Sequence, residues 1–313
     1  MKTIVTAGEI LVEIMATRIG QTFLEPGPLV GPFPSGAPAI FIDQCGRLGQ
    51  PCGVISAVGD DDFGTLNLDR LRDSGVDVSA VTIHPGVPTG SAFVRYHEDG
   101  GRSFVFNIAH SASGRIAIDG PARALLDRAD HVHVMGTALF SPAVIDVALG
   151  AVEAVKARGG TVSFDPNLRP ELLSSPGLRP ALDAILARCD IFLPSGSELF
   201  LFTTARDEAG AVAELLARGI PEIVWKRGAE GAVHHDAQGR TAVPGFAVEE
   251  VDPTGAGDCF GAAFVSMRLR GEAPERALRV ACACGALAVT KKGPMEGTPT
   301  LVQVERFLQE RAA

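Results

Sequence analysis

The chain has 313 residues, 46% of them apolar and 21% charged, a composition that suits one soluble globular unit with a large core. Its 28 Lys and Arg against 37 Asp and Glu give a net charge of −9, which argues against nucleic acid as a partner, because phosphate-backbone binding runs on a surplus of Lys and Arg. No apolar run reaches the ~18 residues of a membrane-spanning helix, and residues 1–8 read as a first strand entering a turn rather than a signal peptide, so a cytoplasmic protein without a membrane partner is expected.

Residues 3–15 alternate apolar and small side chains around Gly8-Glu9 and read as one or two strands. Glu13 stands as a carboxylate among Ile10, Leu11, Val12, Ile14 and Met15, either an outward-facing strand residue or a substrate contact. Residues 18–36, rich in Gly and Pro, read as loops with short strands. Ser35-Gly36-Ala37-Pro38-Ala39 then opens a helix through about Leu48, with Pro38 in the first turn, where its missing N–H does no harm. Residues 52–58 form a strand, and Gly59-Asp60-Asp61-Asp62-Phe63-Gly64 leads into a helix ending near Gly75; the three aspartates suit helix capping better than a cation site. Short strands follow over 76–95, and the runs 93–97 and 102–106 flank Glu98-Asp99-Gly100-Gly101 as a hairpin.

After Ser113 the pattern changes to alternating strands and helices. Helices are expected at 119–128, 142–158, 178–188, 207–218, 258–270, 274–290 and 301–311, with strands at 131–135, 161–165, 190–193, 222–226 and 232–235. Residues 245–251 read as one more short strand. Such alternation means an α/β fold with a mostly parallel sheet, into which the early hairpins insert a small β-rich subdomain. The six cysteines lie in apolar segments and read as reduced core residues rather than disulfides or zinc ligands. His131 and His133 share one strand face, and with no third ligand near them in sequence they read as structural.

In open α/β sheets the ligand lies beyond the carboxyl ends of the strands. The turns expected there are Gly59-Asp60-Asp61, Asp165-Pro166-Asn167-Leu168-Arg169, Pro194-Ser195-Gly196-Ser197-Glu198, Lys226-Arg227-Gly228-Ala229-Glu230-Gly231 and Asp252-Pro253-Thr254-Gly255-Ala256-Gly257-Asp258. The last is the most informative. A glycine turn opening a helix presents unpaired N–H groups and the positive dipole end to an anion, and a carboxylate placed there makes sense if a hydroxyl beside that anion must lose its proton. Phosphoryl transfer with Asp258 as base is the reading that follows. A Walker A loop, the H-R-D and D-F-G triplets, a G-x-G-x-x-G after the first strand and a G-x-S-x-G elbow are all absent from the sequence.

The 252–258 turn with Phe260-Gly261-Ala262-Ala263-Phe264 resembles the C-terminal signature of the ribokinase-like (PfkB) sugar kinases. Ser35-Gly36-Ala37-Pro38-Ala39, Arg47-Leu48-Gly49 and the stretch from Val58 to Gly64 resemble that family's N-terminal signature, so the likeness spans essentially the whole chain. It implies a three-layer α/β/α sandwich in one kinase domain over 1–313, with a small β-sheet lid from about 8–36 and 85–108 that closes over the sugar and in relatives often pairs two subunits. It implies ATP and Mg2+, with K+ as a further cation. Asp258 matches the catalytic base, and Gly255, Ala256 and Gly257 the anion hole. Lys226, Gly228 and Gly231 match the nucleotide side, with Thr254 and Ser195 beside them. Glu198 matches the glutamate of an N-x-x-E motif that organises magnesium through water, although Ser195 replaces its Asn. Asp252 with residues 288–293 matches a monovalent-cation loop. Glu13, Gly36 and Ala37 match sugar contacts, while Ile40 stands where many relatives have Asn. Asp165, Asn167 and Arg169 resemble the D-x-N-x-R-P turn of fructokinases and 2-keto-3-deoxygluconate kinases, and Arg169 is either a cation aimed at acceptor or phosphate or a surface salt-bridge partner. The stretch Phe106-Asn107-Ile108-Ala109-His110 lacks the Arg that acid-sugar kinases place there, and Asn107 and His110 suit hydroxyls. The implied substrate is a neutral ketohexose, fructose or tagatose in type, ahead of a keto acid. A nucleoside kinase and a catalytically silent sugar sensor are the remaining alternatives.

Overall fold

The structure is a computed structural model that describes residues 1–99, 101–168 and 177–311. Its strands are β1 (Ile4–Ala7), β2 (Leu11–Ala16), β3 (Leu29–Ser35), β4 (Cys52–Gly59), β5 (Val81–His84), β6 (Gly90–Tyr96), β7 (Arg102–Asn107), β8 (His131–Met135), β9 (Thr161–Asp165), β10 (Ile191–Phe192), β11 (Glu222–Lys226), β12 (Ala232–Asp236) and β13 (Gly239–Val243). The helices between and after them are α1 (Ala37–Arg47), α2 (Asp62–Asp73), α3 (Gly120–Leu126), α4 (Pro142–Lys156), α5 (Leu178–Leu186), α6 (Glu208–Ala217), α7 (Ala256–Leu269), α8 (Pro274–Ala288) and α9 (Leu301–Glu310).

Nine strands form one sheet in the order β13-β12-β11-β10-β9-β8-β1-β4-β5. The run from β11 to β5 is parallel, and β12 and β13 extend it as antiparallel edge strands. Strand β4 is buried along its whole length, as a strand covered by helices on both faces must be. One apolar core gathers buried side chains of α3, α4, α5 and α6, and a second gathers those of α1, α2, α7, α8 and α9. The helix starts follow from local chemistry. Asp61, Asp119, Ser141, Asp207 and Thr300 each accept an N–H of the first turn with their side chains, and Asp61 is therefore a cap, as its sequence context indicated. No described helix is long and apolar enough to cross a membrane.

A second sheet has the order β3-β2-β6-β7, with β2 and β6 parallel and the outer pairs antiparallel. The chain leaves the large sheet after β1 and enters the small one at β2, so Gly8-Glu9-Ile10 is a crossover between sheets. The return runs through Gly36, between β3 and α1. Gly36 has φ of 110°, and a Cβ there would lie 2.5 Å from the Glu9 carbonyl oxygen, so these two crossovers touch and only glycine fits.

His131 and His133 are buried. His131 contacts Thr161 Oγ1 and Ser163 Oγ, both at 2.7 Å; His133 contacts Ser163 Oγ at 2.6 Å and stacks on Phe41 with centroids 3.7 Å apart. Burial pushes the His131 pKa down to about 3 and holds that of His133 well below the usual range, so both are neutral packing residues. All six cysteines are buried and free, and burial raises their thiol pKa values. The strand expected over 245–251 does not form. The ladder ends at Val243 because Pro244 has no N–H to donate, and the Val251 and Asp252 amides instead donate to the Val289 carbonyl at 2.8 and 3.1 Å.

Candidate active site

The start of α7 is built to be rigid. Gly255 is left-handed at φ 83°, and a Cβ on it would lie 2.6 Å from the Pro294 carbonyl oxygen. Asp252, 1% exposed, accepts the Thr254 N–H at 3.0 Å and the Thr254 hydroxyl at 2.7 Å on Oδ1, and the Gly293 N–H at 3.0 Å on Oδ2. The turn is thereby tied to the 289–294 loop. The first N–H groups of α7 have no carbonyl four residues back to bond, so they point out of the helix as an anion-binding end.

This turn is a wall between two cavities. On one side Thr254, Gly255 and Asp258 line a cavity of about 50 Å³ with Glu9, Glu13 and Gly36. Ala37, Ile40 and the inward face of β7 complete it. On the other side Pro253, Ala256 and Gly257 line a cleft of about 910 Å³ with Lys226, Gly228 and Gly231, while Ser195, Trp225, Phe246 and Val289 form more of its wall. Asp258 is 6% exposed and accepts from Asn167 Nδ2 at 3.0 Å. Asn167 adopts φ of 40°, unusual for a residue other than glycine, which turns its amide toward Asp258. Asn167→Ala is expected to lower kcat about 10-fold, with smaller changes in both KM values, by removing a hydrogen bond that aims the Asp258 carboxylate. Steady-state kinetics check this, and an unchanged kcat would remove Asn167 from the positioning machinery.

Asp165 is fully buried and ion-paired with Lys226 Nζ. A Cβ on Gly257 would lie 3.7 Å from that ammonium, so Lys226 brings positive charge beside the anion turn. The other Asp165 oxygen, Oδ1, is buried with no hydrogen-bond partner among the described residues. Glu198 accepts the N–H groups of Leu168 and Ser195, each at 2.8 Å, and so braces the Asn167 turn against the strand end. Burial, and secondarily the Asp165 charge, raise its pKa.

The structure therefore brings together Asp258, Gly255, Ala256, Gly257, Lys226, Asp165, Asn167, Glu198 and Asp252, with Glu13, Gly36 and Ala37 at the smaller cavity. Thr254, expected on the nucleotide side, faces the smaller cavity, and its hydroxyl accepts from Arg102 Nη1 at 2.6 Å. Asn107 and His110 are exposed and line neither cavity. The period-two alternation of β7 explains Asn107, because Arg102, Phe104 and Phe106, with Ile108 in phase just beyond, share the inward face and Asn107 points the other way, while His110 lies in the turn after the strand ends. Two charged residues of the smaller cavity, Arg102 and Glu9, are not among the site residues read from the sequence. Arg102 was readable from that same alternation, and Glu9 from its place beside Gly8. Arg169 lies outside the described residues.

A carboxylate beside a helix-start anion turn, with a large cleft behind it, is what transfer of a phosphoryl group to an alcohol requires. The sequence profile of the pfkB family carbohydrate kinases matches residues 33–301. The chain belongs to this family. It is a phosphotransferase of the carbohydrate-kinase class with the ribokinase-like fold. The chain is 33% identical over 318 residues to 2-dehydro-3-deoxygluconokinase of Thermoproteus tenax, covering 99% of this chain and 95% of that one. It is 32% identical over 315 residues to fructokinase-1 of Oryza sativa subsp. japonica, covering 98% and 97%. The solved structure of an E. coli protein provisionally named Ribokinase II, in complex with ATP and Mg2+, superposes with a TM-score of 0.94 at 48% identity over 99% of this chain and all of that one.

Proposed function

We propose that this kinase transfers the γ-phosphoryl of ATP to a primary hydroxyl of a neutral ketohexose of the fructose or tagatose type. The observation that carries the reading is the position of Asp258, on the sugar side of a glycine turn whose next amides face the nucleotide cleft. The acceptor oxygen attacks the γ-phosphorus as the bond to the bridging oxygen of ADP breaks. Asp258 takes the hydroxyl proton, while the 255–257 amides and Lys226 offset charge on the transferring group.

The cleft is large enough for a nucleotide and offers Trp225, Phe246 and Val289 as walls for a base. Among the described residues no cluster of three or more His, Cys, Asp or Glu is arranged to hold a metal. The buried unpartnered oxygen of Asp165 and the neighbouring Glu198 nevertheless fit a magnesium ion held chiefly by phosphates and water. Bound there, Mg2+ would neutralise phosphate charge. Asp252 is buried among the neutral donors of Thr254 and Gly293, and a monovalent cation such as K+ behind the turn would offset its charge.

For the acceptor, the described residues of the cavity present the carboxylates Glu13 and Asp258, and Glu9 whose burial favours the neutral form, against the cation Arg102, which already donates to Thr254. A substrate carboxylate would meet more negative than positive charge, whereas hydroxyls can donate to these groups. The cavity, about 50 Å³, lies under the small sheet, which would act as a lid over a bound sugar, and its small size beside the cleft favours a small acceptor over a bulkier nucleoside. The outer face of that sheet exposes Leu29 and Val105, which supports pairing of two copies through the lid. Arg102 in the cavity is the observation that favours the second reading, a keto-acid sugar. Coupled ADP detection over fructose, tagatose, 2-keto-3-deoxygluconate, ribose and adenosine discriminates between these substrates. A neutral ketohexose is expected to give a kcat/KM at least about 10-fold above the keto acid. The reverse order would assign the acid sugar.

A further inference from the structure

We propose that Glu9 is a further substrate-binding residue, a protonated carboxyl at the crossover between the two sheets that donates a hydrogen bond to a sugar oxygen beside Asp258. The proposal rests on the sugar-kinase reading and adds a specificity contact to it.

Glu9 is 4% exposed, lines the smaller cavity, and its Oε2 is buried with no hydrogen-bond partner among the described residues. A buried polar atom left without a partner is costly, so its place on a ligand cavity points to a partner that the ligand brings. The site is built around this side chain. Gly36 passes against the Glu9 backbone so closely that no Cβ fits, with the Glu9 Cγ at 3.4 Å from that position. The wall is rigid because both crossovers are wedged together.

Among the described residues, the charged groups lining the same cavity are Glu13 from β2, Asp258 from α7 and Arg102 from β7. Burial dominates the Glu9 pKa and, with the Asp258 charge adding to it and the Glu9 and Ala37 amides opposing, raises it to about 8. At neutral pH Glu9 is therefore an O–H donor, a group that Glu13 and Asp258 do not supply when ionised. A hexose rich in oxygen acceptors gains a partner for that O–H. Above pH 8 the donor is lost and a further negative charge appears beside Asp258 and Glu13, so sugar affinity must fall as pH rises.

The experiment uses the full-length protein with fructose and ATP, comparing wild type, Glu9→Gln and Glu9→Ala. Carbon NMR of protein labelled at Glu carboxyls should show one resonance titrating near pH 8 that is missing in Glu9→Gln. The wild-type KM for fructose should rise as pH goes from about 7 to 9.5, while the Glu9→Gln KM, raised a few-fold by the weaker donor, should stay flat over that range. Glu9→Ala should raise KM about 10-fold at neutral pH, with a melting curve showing that the fold is kept. Absence of the titrating resonance, or the same KM profile in wild type and Glu9→Gln, overturns the role of Glu9 while leaving the kinase reading intact. If no sugar of the panel is phosphorylated by wild type, the functional reading fails and the proposal falls with it.

Discussion

Replacing Asp258 with Asn is expected to lower kcat by about 10²–10⁴-fold while the KM for ATP changes by no more than about twofold. The substitution isolates the proton-accepting step. The Asn side chain keeps an oxygen that can accept from Asn167 Nδ2, so the contact that aims Asp258 survives. Ala256 and Gly257, which face the nucleotide cleft, are untouched. What disappears is the negative charge that receives the hydroxyl proton. A loose phosphoryl-transfer transition state places less demand on base strength than on positioning, which is why the range extends as low as two orders of magnitude. A kcat within about threefold of wild type would show that another group accepts the proton.

The second large effect is on stability. Lys226→Met should destabilise the fold by about 3–5 kcal/mol, because it leaves the fully buried Asp165 carboxylate without its ammonium. For a chain of this size that corresponds to a fall in melting temperature of about 5–8 °C. Adding Asp165→Asn to Lys226→Met should recover most of the loss, since no charge then stays buried. The double variant should still have reduced kcat, because the positive charge beside Gly257 and the Asp165 carboxylate proposed for magnesium are both gone. If the double variant melts no higher than the single one, the ion pair is not the source of the effect.

The glycine turn proposed as catalytic was legible in the sequence because its chemistry is local. Gly255 is required by a left-handed backbone and a carbonyl contact, and Asp258 by its place in the first turn of α7, so both show in a seven-residue window. The parallel sheet was legible for the same reason, as strand and helix periods alternate along the second half of the chain. The substrate wall was less so. Asn107 and His110 have the polarity of sugar contacts, but the face a strand presents is decided by its parity, which turns Asn107 away and Phe106 and Ile108 inward, and His110 falls in the turn beyond the strand. Arg102 shares that parity. Glu9 became a cavity residue only when two crossovers distant in sequence, at Gly8 and Gly36, were packed together. Residues 245–251 have the composition of a strand, but Pro244 and the bonds to Val289 take them out of the sheet.

The most direct test of the account is ADP formation from ATP with and without a ketohexose, wild type and Asp258→Asn side by side. The account predicts that ADP forms rapidly in the wild type only when the sugar is present, and that the variant loses this sugar-dependent rate while still binding nucleotide. Equal ADP formation with and without sugar, or an undiminished rate in the variant, would contradict it.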